Sequence, residues 1–192
     1  MHEIHLTTAN IASAEWPAFE QFATDVGAKI LVIELARGNY PLQPMLTLAH
    51  DGDVDAALVF AHGLAQQCSK HYPVVRCKIE QALVVADTDA STRPPLYFEW
   101  HGRVPIAPST RPQLSELSQR FGGHLSNNVQ RGSDNCFVTL RETGAFAALA
   151  ARVDALCAAL SLQGWAPGKQ QWERVVYDSN LSLDTGWLES VQ

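Results

Sequence analysis

Glu3-Ile4-His5 and Glu99-Trp100-His101 each set a carboxylate and an imidazole two residues apart in a strand-like context. Side chains two apart on a strand project from one face, so each pair stands side by side. Each member shifts the proton affinity of the other, which suits acid–base work. Brought together, Glu3, His5, Glu99 and His101 would make a donor set for a divalent ion such as Zn²⁺, Mn²⁺ or Fe²⁺. On solvated strand faces the same pairs would give no more than cross-strand ion pairing.

A second group is cationic: Arg76, Lys78, Arg103, Arg131 and Arg141. Arginine grips phosphate or carboxylate at two points. Glu80, Glu99 and His101 interleave with these cations, and Tyr177 closes the last strand, so the set predicts a pocket for a small anionic ligand. Alternating charge that protects sheet edges would look the same. His124 opens HLSNN directly after Gly122-Gly123 and joins Glu99 and His101 as a catalytic candidate. HLT at His5 and HLS at His124 resemble the paired His-x-Ser/Thr motifs of the 2H phosphoesterases, although His5 corresponds in the internal repeat to His101, not to His124.

Other residues carry weaker signals. His50, His62 and His71 read as solvated. RGNYPLQPM is a stiff, proline-rich loop of the kind that rims sites. Asp178, Asn180 and Asp184 in the polar C-terminal stretch offer oxygen ligands for Mg²⁺ or Ca²⁺, or simply turn chemistry, and Trp187 suggests that this tail folds over a cleft. Cys68, Cys77, Cys136 and Cys157 form no CxxC pair and fall on apolar sides of their elements, as reduced structural cysteines do.

The elements that must position these residues repeat. A shift of 96 places Glu3-Ile4-His5 on Glu99-Trp100-His101 and Gly27 on Gly123; a shift of 92 then matches Thr47-Leu48 with Thr139-Leu140 and Gly52 with Gly144. Such self-similarity points to an internal duplication. Residues 2–8 read as a strand, and a helix follows with Trp16, Phe19, Ala23 and Val26 on one face. KILVIELA reads as a strand buried on both sides. MLTLAH is a short strand, and a helix after Asp53 carries an apolar stripe through Cys68.

In 74–85, Val75, Cys77, Ile79, Leu83 and Val85 face one way; Arg76, Lys78 and Glu80 face the other. The second half repeats the order. Leu96, Phe98, Trp100 and Val104 oppose Tyr97, Glu99, His101 and Arg103. Thr110 and Thr143 are expected helix caps, and a hairpin is expected around QRGSDN. Each half thus reads β-α-β-β-α-β. The expected fold is α+β: two tandem ferredoxin-like repeats related by a pseudo-two-fold, each an antiparallel sheet with its helices on one face. Expected boundaries are 1–86 for the first repeat, 87–95 for a linker, 96–179 for the second repeat and 180–192 for a tail.

The runs ARGNYPLQPM, YFEWHGRV, HLSNN, FVTLR and VVYDSNLSLDTGW together resemble a family of uncharacterised bacterial proteins. The resemblance covers most of the chain. It supports the boundaries and implies no activity.

Composition narrows the classes. Of 192 residues, 46% are hydrophobic and 18% charged, enough for a buried core. A net charge of -6 argues against nonspecific nucleic-acid binding. No apolar run approaches the ~20 residues of a membrane helix, and the N-terminus shows no signal-peptide pattern. A cytoplasmic protein is expected, and a homodimer is one assembly open to it. Three classes remain: an enzyme acting on a small phosphorylated or carboxylated molecule, with or without a divalent metal; an ACT-like module binding small ligands between repeats; or an interaction protein without catalysis. The first is favoured. It requires Glu99, His101 and Arg141 in one concave pocket.

Overall fold

The computed structural model describes residues 1–83, 94–131 and 135–185. Val85, most of the expected linker, the tip of the QRGSDN turn and Trp187 lie outside these residues. The strands are β1 (His2–Thr8), β2 (Lys29–Leu35), β3 (Leu42–His50), β4 (Val74–Ala82), β5 (Tyr97–Pro105), β6 (His124–Asn128), β7 (Asn135–Glu142) and β8 (Gln170–Asp178). The helices are α1 (Trp16–Asp25), α2 (Val54–Cys68), α3 (Arg111–Gln119) and α4 (Phe146–Leu162).

The strands form one closed barrel in the order β1-β3-β2-β6-β7-β5-β8-β4. Every neighbouring pair is antiparallel. This overturns the expected two ferredoxin-like sheets, each with helices on one face. It also overturns the α/β sandwich and internal-duplication reading that produced them. Two separate sheets would leave open edges, with unpaired N–H and C=O groups. Here β4 pairs with β8 and β2 with β6, and no edge remains. The β2–β6 seam is short: Ile33, Glu34 and Leu35 oppose Asn128, Asn127 and Ser126.

The helices pack outside the barrel, and two apolar cores lie beneath them. Ile4, Leu6, Leu46 and Ile79 from the strands meet Phe19 of α1 and Ala57, Ala61 and Leu64 of α2. Trp100, Val138 and Leu140 meet Leu114 of α3 and Leu149, Val153 and Leu156 of α4. Alternation along each strand sends these residues outward and their polar neighbours inward. Asp53 caps α2 by accepting from Ala56 N at 2.8 Å. Thr110 holds the N-cap position of α3 without a side-chain capping bond, and Thr143 is not the cap of α4. Thr110 Oγ1 instead donates to Ala107 O at 2.8 Å within a 3₁₀ turn, and Ala145 precedes α4 without a side-chain bond. Cys68, Cys77, Cys136 and Cys157 are free thiols. Among the described residues, no helix is long and apolar enough to cross a membrane.

Trp100 is fully buried, with its indole Nε1 donating to Gln170 Oε1 at 3.0 Å. Its ring lies against Gly102, where an added Cβ would stand 2.1 Å from the indole. Gly102→Ala should therefore displace a packed ring and destabilise the fold by about 1–3 kcal/mol, read as a lower urea midpoint. An unchanged midpoint would show that the indole has room to move.

Candidate functional site

The inward strand faces enclose a cavity of about 420 Å³. Five basic side chains line it (Lys29, Arg76, Lys78, Arg141 and Lys169), as do five carboxylates (Glu3, Glu80, Glu99, Glu173 and Asp184). A buried ion is tolerable only when paired and hydrogen-bonded, and the geometry meets that condition.

Glu99 is the hub. Its Oε1 accepts from Arg141 Nε at 2.9 Å and from the Arg141 guanidinium at 2.7 Å. Its Oε2 accepts from Lys78 Nζ at 3.0 Å and lies 3.5 Å from His101 Nε2. Burial opposes ionisation of Glu99, but Lys78 and Arg141 outweigh it and hold the carboxyl well below its usual range. Lys78 also touches Glu80, and His5 Nε2 lies 2.8 Å from the same carboxylate. Burial would raise Glu80, yet Lys78 and His5 bring it down to about 2.

The two histidines have matching partners. His5 Nδ1 meets Thr47 Oγ1 at 2.9 Å, and His101 Nδ1 meets Thr139 Oγ1 at 2.8 Å. His101 Nε2 lies 3.1 Å from Glu173. Burial works against a charged His101, but Glu173 and Glu99 overcome it and raise the imidazole to about 10. His101 is therefore an imidazolium at neutral pH.

One wall of the cavity is tied down by a 3₁₀ turn at Leu181–Asp184. Asp184 accepts from Arg76 through both oxygens at 3.0 Å and from Arg141 at 2.6 Å. Arg76 also binds Asp178, which accepts from Tyr97 Oη at 2.6 Å, and Arg141 stacks 4.0 Å from the Tyr97 ring centroid. Asp178 and Asp184 are thus arginine partners in this structure, and Asn180 donates to Val75 O at 2.9 Å.

The sequence-derived candidates divide. Glu3, His5, Arg76, Lys78, Glu80, Glu99, His101 and Arg141 all line the cavity. Three do not. Arg103 is exposed near the end of β5. His124 is buried beside Arg37, whose guanidinium lies 2.8 Å from Nδ1; burial, Arg37 and Arg141 lower it to about 4, so it is neutral. Tyr177 faces outward and meets His62 of α2 at 3.1 Å. The register shift opposite Ile79/Glu80 reverses the alternation, so Tyr177 pairs with outward Ile79 while Val175 pairs with Glu80. The side chain of Arg131 lies outside the described residues.

Of the expected metal set, Glu99 and His101 belong to the group of ligand atoms that converges among the described residues, whereas Glu3 and His5 do not; His5 bonds Glu80 instead. In that group, ligand atoms of Glu80, Glu99, His101 and Glu173 all lie within 4.8 Å of one another. Three carboxylates and one imidazole suit Mn²⁺, Fe²⁺ or Zn²⁺. Lys78 and the His101 proton already supply positive charge there, so a cation would have to displace both. Sequence reasoning did not single out Glu173. The signal was present in QQWERVV, where Trp172 packs outward and Glu173 alternates inward.

No known protein family and no curated protein matches the chain. Among solved structures, the "Putative monooxygenase" of Fusobacterium nucleatum aligns over 100% of this chain and 96% of its own, with a TM-score of 0.39 and 8% identity. The acetolactate synthase small subunit of Thermotoga maritima aligns over 92% and 94%, with a TM-score of 0.31 and 12% identity. A "Putative Chlorite dismutase" aligns over 92% and 95%, with a TM-score of 0.32 and 10% identity. At these values the likenesses carry no argument about activity.

The His101 assignment fixes a pH dependence. Its folded pKa is raised above the unfolded value, so its stabilisation is complete below about pH 6.5 and is lost as pH rises through about 10. The stability gap between wild type and His101→Gln, measured by urea unfolding, should narrow steadily between pH 6 and pH 10. A gap independent of pH would mean that His101 is neutral.

Proposed function

We propose that the barrel interior is the site of an enzyme acting on a small phosphorylated or carboxylated molecule. The observation that carries this reading is the convergence of Glu99, His101 and Arg141 on one cavity, with exposed lysines on the same lining. Lys29 and Lys169 make no ion pair among the described residues. They give an arriving anion a cationic approach that the internally paired groups do not.

In this reading His101 holds the transferable proton at Nε2, between Glu173 and Glu99, while Thr139 fixes the ring through Nδ1. Lys78 and Arg141 keep Glu99 ionised, so the proton stays on the histidine until a substrate group competes for it. Glu80, Glu99, His101 and Glu173 would hold a divalent ion only with Lys78 displaced and the His101 proton released to solvent, and the ion would then supply the positive charge in place of that proton. An ACT-like module would bind between two separate sheets, and the closed barrel offers no such seam. A flat interaction surface would not need an enclosed charged interior.

A panel of small carboxylates and phosphate monoesters, with and without Mn²⁺ or Zn²⁺, tests the proposal by thermal unfolding. A ligand at 100 times its Kd should stabilise wild type by about 2.7 kcal/mol. His101→Ala and Glu99→Ala should abolish that rise. Lys29→Gln/Lys169→Gln removes two exposed charges, so it should fold normally and bind anions more weakly. No rise with any member of the panel in wild type would refute the reading.

A further inference from the structure

Most of the paired charges occupy one side of the barrel, with Arg141 of β7 reaching Glu99 and Lys29 standing apart at the start of β2. Glu99 and His101 come from β5, Glu173 from β8, Lys78 and Glu80 from β4, and His5 from β1; these strands are contiguous in the ring. In a closed ring of eight, β2 stands opposite β8, and β3 stands opposite β5. Beside Lys29 at the start of β2 and the uncharged Gln43 and Thr47 of β3, those opposite strands present apolar side chains. β2 offers Leu31, Ile33 and Leu35, β3 adds Met45, and β7 adds Phe137.

Leu31, Ile33, Met45 and Phe137 are each only half-buried although they point into a closed barrel. Their outward neighbours differ in what they meet: Val32 is buried, and Ile30, also half-buried, packs against the core beneath the helices. The strand KILVIEL is therefore apolar on both faces for two separate reasons. One face serves the fold. The other leaves apolar surface against the cavity, where water is a poor neighbour for it. An eight-stranded barrel is wide enough to hold one small ligand, and this cavity falls within the usual range for such sites.

We infer that the ligand is amphipathic: an anion with an aliphatic or aromatic body, its charged head toward β5 and β8 and its body against the apolar wall of β2 and β3. This rests on the reading of the barrel as an anion site and adds the nature of the rest of the molecule. Neither face suffices by itself. A wholly polar metabolite would leave the β2 wall wet, and a neutral hydrocarbon would forgo the lysines.

The test is a series of straight-chain carboxylates, acetate, butyrate, hexanoate and octanoate, with inorganic phosphate as the body-free control, titrated calorimetrically into the full chain. Affinity should rise by up to about fourfold for each added methylene until the wall is covered. Ile33→Thr keeps the β-branched shape, and Met45→Gln keeps the length; each should flatten the series while leaving acetate and phosphate binding unchanged. If wild type binds acetate and phosphate but ignores chain length, the amphipathic ligand is wrong and the anion site survives. If the chain-length effect persists in both variants, the apolar contact lies elsewhere and the inference fails. If no anion of any length binds, the anion-site reading itself falls.

Discussion

The fold turns on a carboxylate that has almost no water. Glu99 is 1% exposed, and an ion in that position is tenable only with opposite charges in contact. Lys78, Arg141 and His101 supply them, and each is then drawn into a further pair. Lys78 reaches Glu80, Arg141 reaches Asp184, and His101 reaches Glu173. The network thus links β4, β5, β7, β8 and the 3₁₀ turn beyond them. Losing one member leaves its partner buried and uncompensated, so the groups stand or fall together.

That requirement explains where the apolar cores sit. A barrel this small normally fills its interior with side chains. Here the interior holds ions and a cavity, so the hydrophobic contribution must come from the outer face. Helices α1 to α4 cover that face, and the strands send Ile4, Leu46, Trp100 and Leu140 out to meet them. The barrel wall therefore separates two media, with close-packed hydrocarbon on one side and, on the other, an interior of paired ions beside the exposed apolar surface of β2. The alternation of the strands is the physical form of that separation.

Much of this alternation was legible in the sequence. Arg76, Lys78 and Glu80 opposite Cys77 and Ile79, and Glu99 and His101 opposite Trp100, could be assigned to faces from period two alone. The helical stripes were legible for the same reason. Closure was not. Which strand edges meet depends on partners far apart in the chain, and nothing local in KILVIEL or HLSNN announces that the two pair. The local signals therefore fit two sheets as well as one ring. Tyr177 failed through a single shift of register, which a strict alternation cannot foresee. Glu173 was passed over because a polar residue on a final strand looks ordinary until the ring brings it to His101. The threonines at 110 and 143 resembled caps by type, but the turns around them left Thr110 bonded backward and Ala145 at the helix start.

The brevity of the β2–β6 seam has a consequence for the life of the interior. A ring is only as secure as its short joins, and this one rests on three facing residue pairs and the bond from Ala36 N to Leu125 O, with β6–β7 also held by three pairs among the described residues. Partial openings of a native protein begin where the fewest bonds must be given up. Parting there would leave seven strand pairings intact and turn the closed wall into a curled sheet, with its ions facing bulk water. The seam also borders the apolar strand β2. An opening at that seam would let water, salt and solutes exchange with the interior while the cores beneath the helices stay packed.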